Sequence, residues 1–401
     1  MTSFLTHQRA ALLALGTATP RYQVEQAAVG EWTACSFGDS ATTQRWLKRL
    51  YQSTGIETRY SCLPDALLPP DDARFAPGHD LADAPTTAER MAIYERESVV
   101  IGAEAARRAI ADYRGPDAPD EAAVIHSITH LITVSCTGFF APGLDQMIAR
   151  AVGLRPETER VLIGFMGCAA AFNALRLASQ IVAGQPTARV LIVCVELCSL
   201  HIQPSKKLAD LIGAAIFADG AGACIVGRPH PEQGDVFAID HFYTELTPEA
   251  ESFMVWRIGD WGYTLHLSTQ IPERLAEIAP RALLRLFNDQ PPDLRFWAIH
   301  PGGRAIVDRL EEIFHLSAEQ VAPSREILRC YGNMSSPTVL FVLQEYRTHL
   351  RQQADDTPVD GVAMAFGPGL VTELAHLVYV PAAVLPLPMQ NGSALRYAAY
   401  S

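Results

Sequence analysis

The sequence predicts an α/β fold with a duplicated core, and three observations carry that expectation. Short β-branched apolar runs alternate with longer stretches of helical periodicity almost throughout the chain, the pattern of buried sheets with helices packed on them. The two halves echo each other: "AAIFADGAGACIVG" (214–227) and "GVAMAFGPGLVTELAHLVYV" (361–380) each read as strand, Gly-rich turn, strand, behind a helix-rich region. A polar break, "RPHPEQG", lies between them and places a boundary near 229–235. That divides the chain into an N-terminal half, 1–232, and a C-terminal half, 233–401.

Taken in order, "THLITVS" (129–135) is a strand, followed by a Gly/Pro turn and the helical "LDQMIARAVG". "RVLIGFM" (160–166) is a second strand and leads into an alanine-rich helix beginning near Cys168. "ARVLIVCVE" (188–196) is too short and too β-branched for a helix. In the second half "ERLAEIAPRALLRLFND" is helical, "RFWAI" (295–299) is a strand and "GRAIVDRLEEIFHL" is helical. "PTVLFVLQEYRTHLRQQ" opens with Pro337 at a first helical position and carries an apolar stripe. Region 60–90, rich in Pro, Asp and Ala, reads as a long surface excursion.

The 401 residues are 49% hydrophobic and 19% charged, as in a soluble globular protein. Against 32 Lys and Arg stand 44 Asp and Glu, a formal charge of −12. Broad nucleic-acid binding needs a dense positive surface, so no nucleic-acid partner is expected. A few local basic residues suffice for an anionic carrier. The start, "MTSFLTHQRAALLALGTATP", lacks a charged segment ahead of its apolar run and is not read as a signal peptide. "HLVYVPAAVLPLPM" is short and interrupted by Pro381, Pro386 and Pro388, so no membrane span is expected. Cys35, Cys62, Cys136, Cys168, Cys194, Cys198, Cys224 and Cys330 are scattered through a large chain. That spacing fits a reducing cytoplasm rather than a disulfide framework. Cys194, Cys198 and His201 superficially suggest a metal site, but "RVLIVCVELCSLH" reads as a buried strand entering a loop with no second ligand pair. No metal is expected.

"VLIGFMGCAAAFNALRLA" (161–178) carries the chemical question. Cys168 sits where an apolar run meets a helix; it is either a small core residue or a nucleophile fed by backbone donors. His300 ends "RFWAI" and precedes Pro301-Gly302-Gly303, which stop the strand and bring backbone close to whatever the imidazole faces; a satisfied core histidine is the bland alternative. Asn333, in "CYGNMSSPTVLF", lies at a turn before a helix, where a capping asparagine is equally at home. Together they form a Cys…His…Asn set at the ends of regular elements. Thiol chemistry on acyl groups needs a thiolate near neutral pH, helped by a helix N-terminus and an imidazolium. It also needs neutral donors aimed at a thioester oxygen as charge develops there. A carboxylate at either donor position would repel that charge.

"GFMGCAAAFNALRLA", "FWAIHPGG", "YGNMSSPTVLFVL" and "FGPGL" resemble the active-site blocks of type III polyketide synthases, the chalcone synthase superfamily. The resemblance runs from "LGTATP" to "FGPGL", weakest at 60–90 and over the last twenty residues. It implies a thiolase-like fold, a duplicated core layered α-β-α-β-α, and a homodimer with a site in each subunit. It implies that Cys168 carries the acyl and growing chain, held as thiolate by His300. His300 and Asn333 would bind the malonyl thioester and promote loss of carbon dioxide to an enolate, which attacks the Cys168-bound acyl group. Decarboxylation makes the carbon nucleophile, so acyl-CoA and malonyl-CoA are substrates and no cofactor is needed.

Phe217 matches the family's gatekeeper between the coenzyme A tunnel and the cavity. The resemblance places Cys136, Thr137, Cys198, His201, Gly213, Trp256, Leu265 and Ser335 in the cavity wall. "SCTGF" and "ELCSL" are similar to the bacterial alkylpyrone and alkylresorcinol branch. Trp256 replaces a glycine of the plant enzymes, which removes room for aromatic ring closure and favours a fatty acyl starter, few extensions and alkylpyrone release, with alkylresorcinols next. Of three basic coenzyme A contacts in plant members only Arg49 matches; Trp46 and Ser53 occupy the others, with Lys48 and Arg45 nearby, and Gly302 and Gly303 complete the carrier contacts. Ala141 stands where plant members reach into the partner subunit with methionine, and Ala365 replaces a glycine. A ketoacyl-ACP synthase III shares the fold and trio but makes one condensation on a carrier protein. A papain-like hydrolase orders Cys, His and Asn similarly but places its cysteine near the start of a secreted domain. A silent scaffold would bury all three without using them.

Overall fold

Strand β1 (Ala11–Ala18) is buried along its whole length except at Thr17, because sheet and helix cover both of its faces. The computed structural model describes residues 9–37, 40–75, 84–118, 120–203, 208–230, 233–353 and 357–382. After β1 come β2 (Tyr22–Glu25), α1 (Gln26–Phe37), α2 (Ala41–Ser53), β3 (Thr58–Ser61) and the long α3 (Thr87–Asp112). Then follow α4 (Glu121–Ser127), β4 (His130–Ser135), α5 (Leu144–Val152), β5 (Glu159–Gly164) and α6 (Ala170–Gly184). The chain continues through β6 (Val190–Leu197), α7 (Leu208–Ile216), β7 (Asp219–Gly227) and β8 (Val236–Glu245). The hairpin β9 (Met254–Gly259) and β10 (Gly262–Leu267) leads to α8 (Ile271–Leu286), β11 (Phe296–Ile299), α9 (Arg304–Phe314) and α10 (Ala318–Tyr331). The last elements are α11 (Thr338–Gln352), β12 (Val359–Gly367) and β13 (Val371–Val380).

Nine strands form one sheet in the order β11-β12-β13-β8-β1-β7-β6-β4-β5. Its pairing repeats. β4 runs parallel to β6, β6 antiparallel to β7 and β7 antiparallel to β1. In the same way β11 is parallel to β12, β12 antiparallel to β13 and β13 antiparallel to β8. The two sets meet only at Ala11↔Ala238 and Leu12↔Phe237. Alternate side chains of both sets point inward onto α6 and α11, which share one apolar cluster with them. Both helices are apolar on most sides, Val339 to Leu343 of α11 being buried at every position, as a central layer requires. The outward side chains of the first set pack on α3, α4 and α5, those of the second on α8, α9 and α10. The order of layers is therefore α-β-α-β-α.

Capping boxes at Thr86/Glu89 and Ser317/Gln320 start α3 and α10, each cap worth about 1 kcal/mol. Pro337 occupies the N-cap of α11 rather than its first helical position.

Several expectations need correction. Residues 214–227 do not form a strand–turn–strand unit: the first three complete α7 and Asp219–Gly227 is one continuous strand. Its glycines serve close packing, not a turn. A Cβ on Gly220 would lie 2.4 Å from Met334 Sδ, and one on Gly222 3.1 Å from Leu340 Cβ. The 361–380 segment does form two strands around a short turn at Pro368–Leu370. β5 is not buried but is the sheet's outer edge, with Val161 and Leu162 44% and 39% exposed. Region 60–90 is only partly a surface excursion: Cys62, Leu63 and Phe75 enter the core beside α3, while 76–83 lie outside the described residues. So do residues 231–232 of the polar break and Pro386 and Pro388. Among the described residues no helix is long and apolar enough to cross a membrane.

Candidate active site

Between β5 and α6 the chain turns sharply through Phe165 (φ 57°) and Gly167 (φ 63°), both in the left-handed region. A non-glycine residue there is strained, and such strain clusters at functional turns. Cys168 sits in the single 3₁₀ turn Gly167–Ala169, so α6 begins two residues beyond it rather than at it. Gly167 has no room for a side chain, since a Cβ would lie 2.2 Å from Pro368 Cδ. The "FGPGL" turn thus packs directly on the cysteine's turn. From below, the Gly167 N–H donates to Cys136 Sγ at 3.0 Å.

His300 follows β11 by one residue, and its N–H donates to the Met364 carbonyl at 2.8 Å, prolonging the β11–β12 ladder. The chain then folds back, the Gly302 N–H reaching the His300 carbonyl at 2.9 Å. A Cβ on Gly302 would stand 3.1 Å from Ile306 Cδ1 and in ordinary contact with the His300 ring. Both ring nitrogens of His300 are buried and have no hydrogen-bond partner among the described residues, a rare state that calls for a ligand or water. Asn333 is held at both ends of its amide: Nδ2 donates to the Gly302 carbonyl at 3.0 Å, and Oδ1 accepts from the Ser335 N–H at 2.8 Å. Its side chain and that of Ser335 stand near enough to the Cys168 thiol to favour its ionised form. Asn333 is therefore the link that brings the His300 turn and Cys168 into one site.

Burial works against the expected thiolate–imidazolium pair. Burial pushes the Cys168 thiol up to about 11, against the opposing influence of Ser335 and Asn333. Burial also pulls His300 down to about 3. Desolvation acts on both groups in the sense that favours their neutral forms. Cys35, by contrast, is an exposed free thiol on α1.

Cys168 opens into a mostly apolar cavity of about 100 Å³. Its wall contains Cys136, Thr137, Cys198, His201, Gly213, Phe217, Trp256, Leu265 and Ser335; His300 and Asn333 stand behind it. Trp256 and Leu265 face each other across the β9–β10 ladder. The Trp256 Nε1–H donates to the Cys136 carbonyl at 2.8 Å, which fixes the indole against the cysteine's side of the cavity. His201 Nε2 donates to the Thr137 carbonyl at 2.7 Å while Nδ1 accepts from the Tyr263 N–H at 3.0 Å. Burial lowers His201 to about 3, in keeping with a neutral ring so engaged. With both nitrogens occupied it is no metal ligand, and Cys194 points instead into the α6–α11 core. Among the described residues no cluster of His, Cys, Asp or Glu could hold a metal ion.

Several residues of the site were missed in sequence, among them Ile202, Met254, Tyr263 and Glu196. Tyr263 stacks on His201 at 4.1 Å and lines the cavity two positions before Leu265, on the same face of β10; strand alternation signals it. Glu196 is fully buried beneath the site, accepting from the Cys136 N–H (2.9 Å), the Thr137 hydroxyl (2.8 Å) and the Ser336 hydroxyl (2.6 Å). Burial raises its carboxyl to about 7 despite these donors. The carrier residues are more dispersed: Arg45 and Arg49 are exposed on α2, Lys48 pairs with Glu31, and Gly302 and Gly303 lie in the turn after His300.

The chain is similar to known proteins over most of its length. Residues 2–230 match the family model for the N-terminal domain of chalcone and stilbene synthases, and residues 239–381 the model for their C-terminal domain. The chain is 33% identical over 370 residues to the alpha-pyrone synthesis polyketide synthase-like Pks18 of Mycobacterium tuberculosis, covering 90% of this chain and 88% of that one. It is 31% identical over 382 residues to type III polyketide synthase A of Arabidopsis thaliana, covering 91% of each. The crystal structure of the C-terminal type III polyketide synthase domain of Steely1 from Dictyostelium superposes with a TM-score of 0.82 at 26% identity, covering 93% of this chain and 99% of that one. That of PKS-I from the brown alga Ectocarpus siliculosus gives 0.79 at 30%, covering 92% and 98%.

Proposed function

This chain belongs to the chalcone and stilbene synthase family, is a type III polyketide synthase and hence a coenzyme A-dependent condensing acyltransferase of thiolase-like fold, and we propose that it extends a fatty acyl-CoA starter with malonyl-CoA at Cys168, His300 and Asn333. The observation that carries the residue roles is the buried imidazole of His300, unpartnered among the described residues at both nitrogens, behind the Asn333 amide that also stands near the Cys168 thiol.

In this scheme the Cys168 proton passes to His300 as the sulfur attacks the starter thioester. The carbon–sulfur bond to coenzyme A breaks, and the imidazolium returns the proton to the departing thiolate. Malonyl-CoA then places its thioester oxygen against the N–H donors of His300 and Asn333. The bond to the carboxylate breaks, carbon dioxide leaves, and its electron pair forms an enolate whose charge those donors stabilise. The enolate carbon attacks the Cys168 thioester and releases the cysteine sulfur. No cofactor enters, because the lost carboxylate supplies the carbon nucleophile.

The Trp256–Cys136 hydrogen bond supports a cavity too narrow for aromatic ring closure, and the alpha-pyrone synthesis for which Pks18 is named points the same way. Alkylpyrones are the products of this reading, with alkylresorcinols as the nearest competitor. A second copy is the partner that fits β5, an unpaired sheet edge carrying exposed Val161 and Leu162, with Met166 exposed just beyond it. Eight free cysteines, Cys168 among them, suit a reducing cytoplasm. Arg49, Arg45 and Lys48 on α2, with the Gly302–Gly303 turn, are the proposed carrier contacts.

Mass spectrometry of products from a panel of acyl-CoA starters with malonyl-CoA tests the reading. Alkylpyrones formed without carrier protein support it. A single condensation that demands carrier protein would favour the ketoacyl-ACP synthase III alternative.

A further inference from the structure

We propose that Arg59, outside the Cys–His–Asn set and the cavity wall, is a positioning residue that holds the Phe217 gate and the Asn333 donor as one unit; the inference rests on the condensing role given above to Asn333. Arg59 lies on β3 and is only 4% exposed. A buried guanidinium normally pairs with a carboxylate. Here, among the described residues, no carboxylate forms an ion pair with it. Instead Nη1 donates to the Ala214 and Phe217 carbonyls, each at 2.7 Å, and the group lies over and hydrogen-bonds Tyr51.

The Ala214 carbonyl belongs to the last turn of α7, where the last four carbonyls have no partner within the helix, and Phe217 follows that helix directly. Their partners here can be named one by one. Gly213 accepts from the Phe217 N–H at 3.0 Å and Ala214 from Arg59. Ala215 accepts from Gln26 Nε2 at 2.7 Å, and Ile216 from the Asn333 N–H at 2.9 Å. The Asn333 carbonyl in turn accepts from the Ala218 N–H at 2.8 Å. Arg59 is the one charged member of this set, and a cation is the favourable charge at a helix C-terminus. It holds the Ala214 carbonyl before, and the Phe217 carbonyl within, the 216–218 segment to which the Asn333 backbone is hydrogen-bonded. The same strand is tied to the segment leading to Asn333, because the Thr58 hydroxyl donates to the Cys330 carbonyl at 2.7 Å. Backbone is close-packed at this junction: a Cβ on Gly332 would lie 3.2 Å from Ala218 Cβ and 3.5 Å from Arg59 Cβ.

Loss of Arg59 therefore frees two carbonyls and lets the 216–218 segment, with Asn333 latched to it, drift from the His300 turn. Starter acylation of Cys168, measured at saturating acyl-CoA so that passage of the Phe217 gate does not limit it, does not use the Asn333 donor. Arg59→Gln and Arg59→Lys, assayed below their melting temperatures against the wild type, separate the two steps. The expected result is a malonyl-CoA decarboxylation kcat lowered about tenfold in Arg59→Gln, the scale set by donor misplacement, with starter acylation of Cys168 nearly unchanged and decarboxylation partly restored in Arg59→Lys. Parallel loss of both steps in proportion to the folded fraction, or wild-type decarboxylation in Arg59→Gln, would overturn the proposal. If Asn333→Ala in the same assay keeps wild-type decarboxylation, the reading of Asn333 has failed instead. Should Arg59→Gln prove too unstable, Arg59→Lys alone decides, by the ratio of decarboxylation to acylation.

Discussion

Phe217 and Asn333 are joined through their backbones. The Asn333 N–H donates to the carbonyl before Phe217, and the N–H after Phe217 donates to the Asn333 carbonyl, so the two residues form a parallel bridge outside the main sheet. The gate of the cavity and the amide at its base therefore keep a fixed separation. Because the link uses main chain, side-chain substitutions at either position leave it in place, and their effects report on chemistry.

Asn333→Asp is the sharpest such change. Its Oδ1 still accepts the Ser335 N–H, and the bridge survives. The donor is gone and a like charge faces the developing enolate. Decarboxylation kcat is expected to fall ~10²–10³-fold, the cost of removing one such donor, with starter acylation of Cys168 retained. His300→Ala should impair both steps. Single-turnover assays with labelled malonyl-CoA and labelled starter measure each.

Alkylation reports the resting state of the nucleophile. With the thiol pushed up to about 11 and His300 down to about 3, inactivation by iodoacetamide should keep accelerating with pH above 8. A plateau below pH 7 would instead indicate a preformed thiolate–imidazolium pair. Exposed Cys35 should be labelled without loss of activity.

Glu196 makes stability depend on pH. Its folded-state pKa of about 7 lies above the ordinary 4.5. Between those values the unfolded chain releases a proton that the folded chain keeps, so stability falls as pH rises through that window, by up to ~3 kcal/mol. Glu196→Gln can donate to Ser336 Oγ and still accept from Cys136 and Thr137. Chemical denaturation at pH 5 and pH 8 should show the wild type losing stability and the variant losing much less. Equal slopes in both proteins would remove Glu196 as the cause.

Trp256→Gly should enlarge the cavity beside Cys136 and shift products toward longer chains or carbocyclic rings. An unchanged product profile would show that the indole does not limit the chain. Its hydrogen bond to the Cys136 carbonyl is lost in the same change, so a melting-temperature measurement should accompany the assay.

Legibility followed the range of the interactions. β4, β6, β11 and α11 were readable because periodicity and β-branching act within a few residues. Cys168, His300 and Asn333 were readable because each ends a regular element and carries a recognisable block. β7 was misread since its glycines answer to Met334 and Leu340, more than a hundred residues away. The desolvation of Cys168 and His300 was not readable at all, because it comes from layers assembled across the chain. Glu196 looked like an ordinary strand end, because its three donors come from loops brought together only by folding.

The central claim is that Cys168 carries the chain. Trapping the acyl-enzyme with a fatty acyl-CoA, followed by proteolysis and peptide mass spectrometry, tests it most directly. The acyl group is expected on the peptide containing Cys168 and absent after Cys168→Ala. An adduct on Cys136 or Cys198, or catalytic turnover that survives Cys168→Ala, would contradict it.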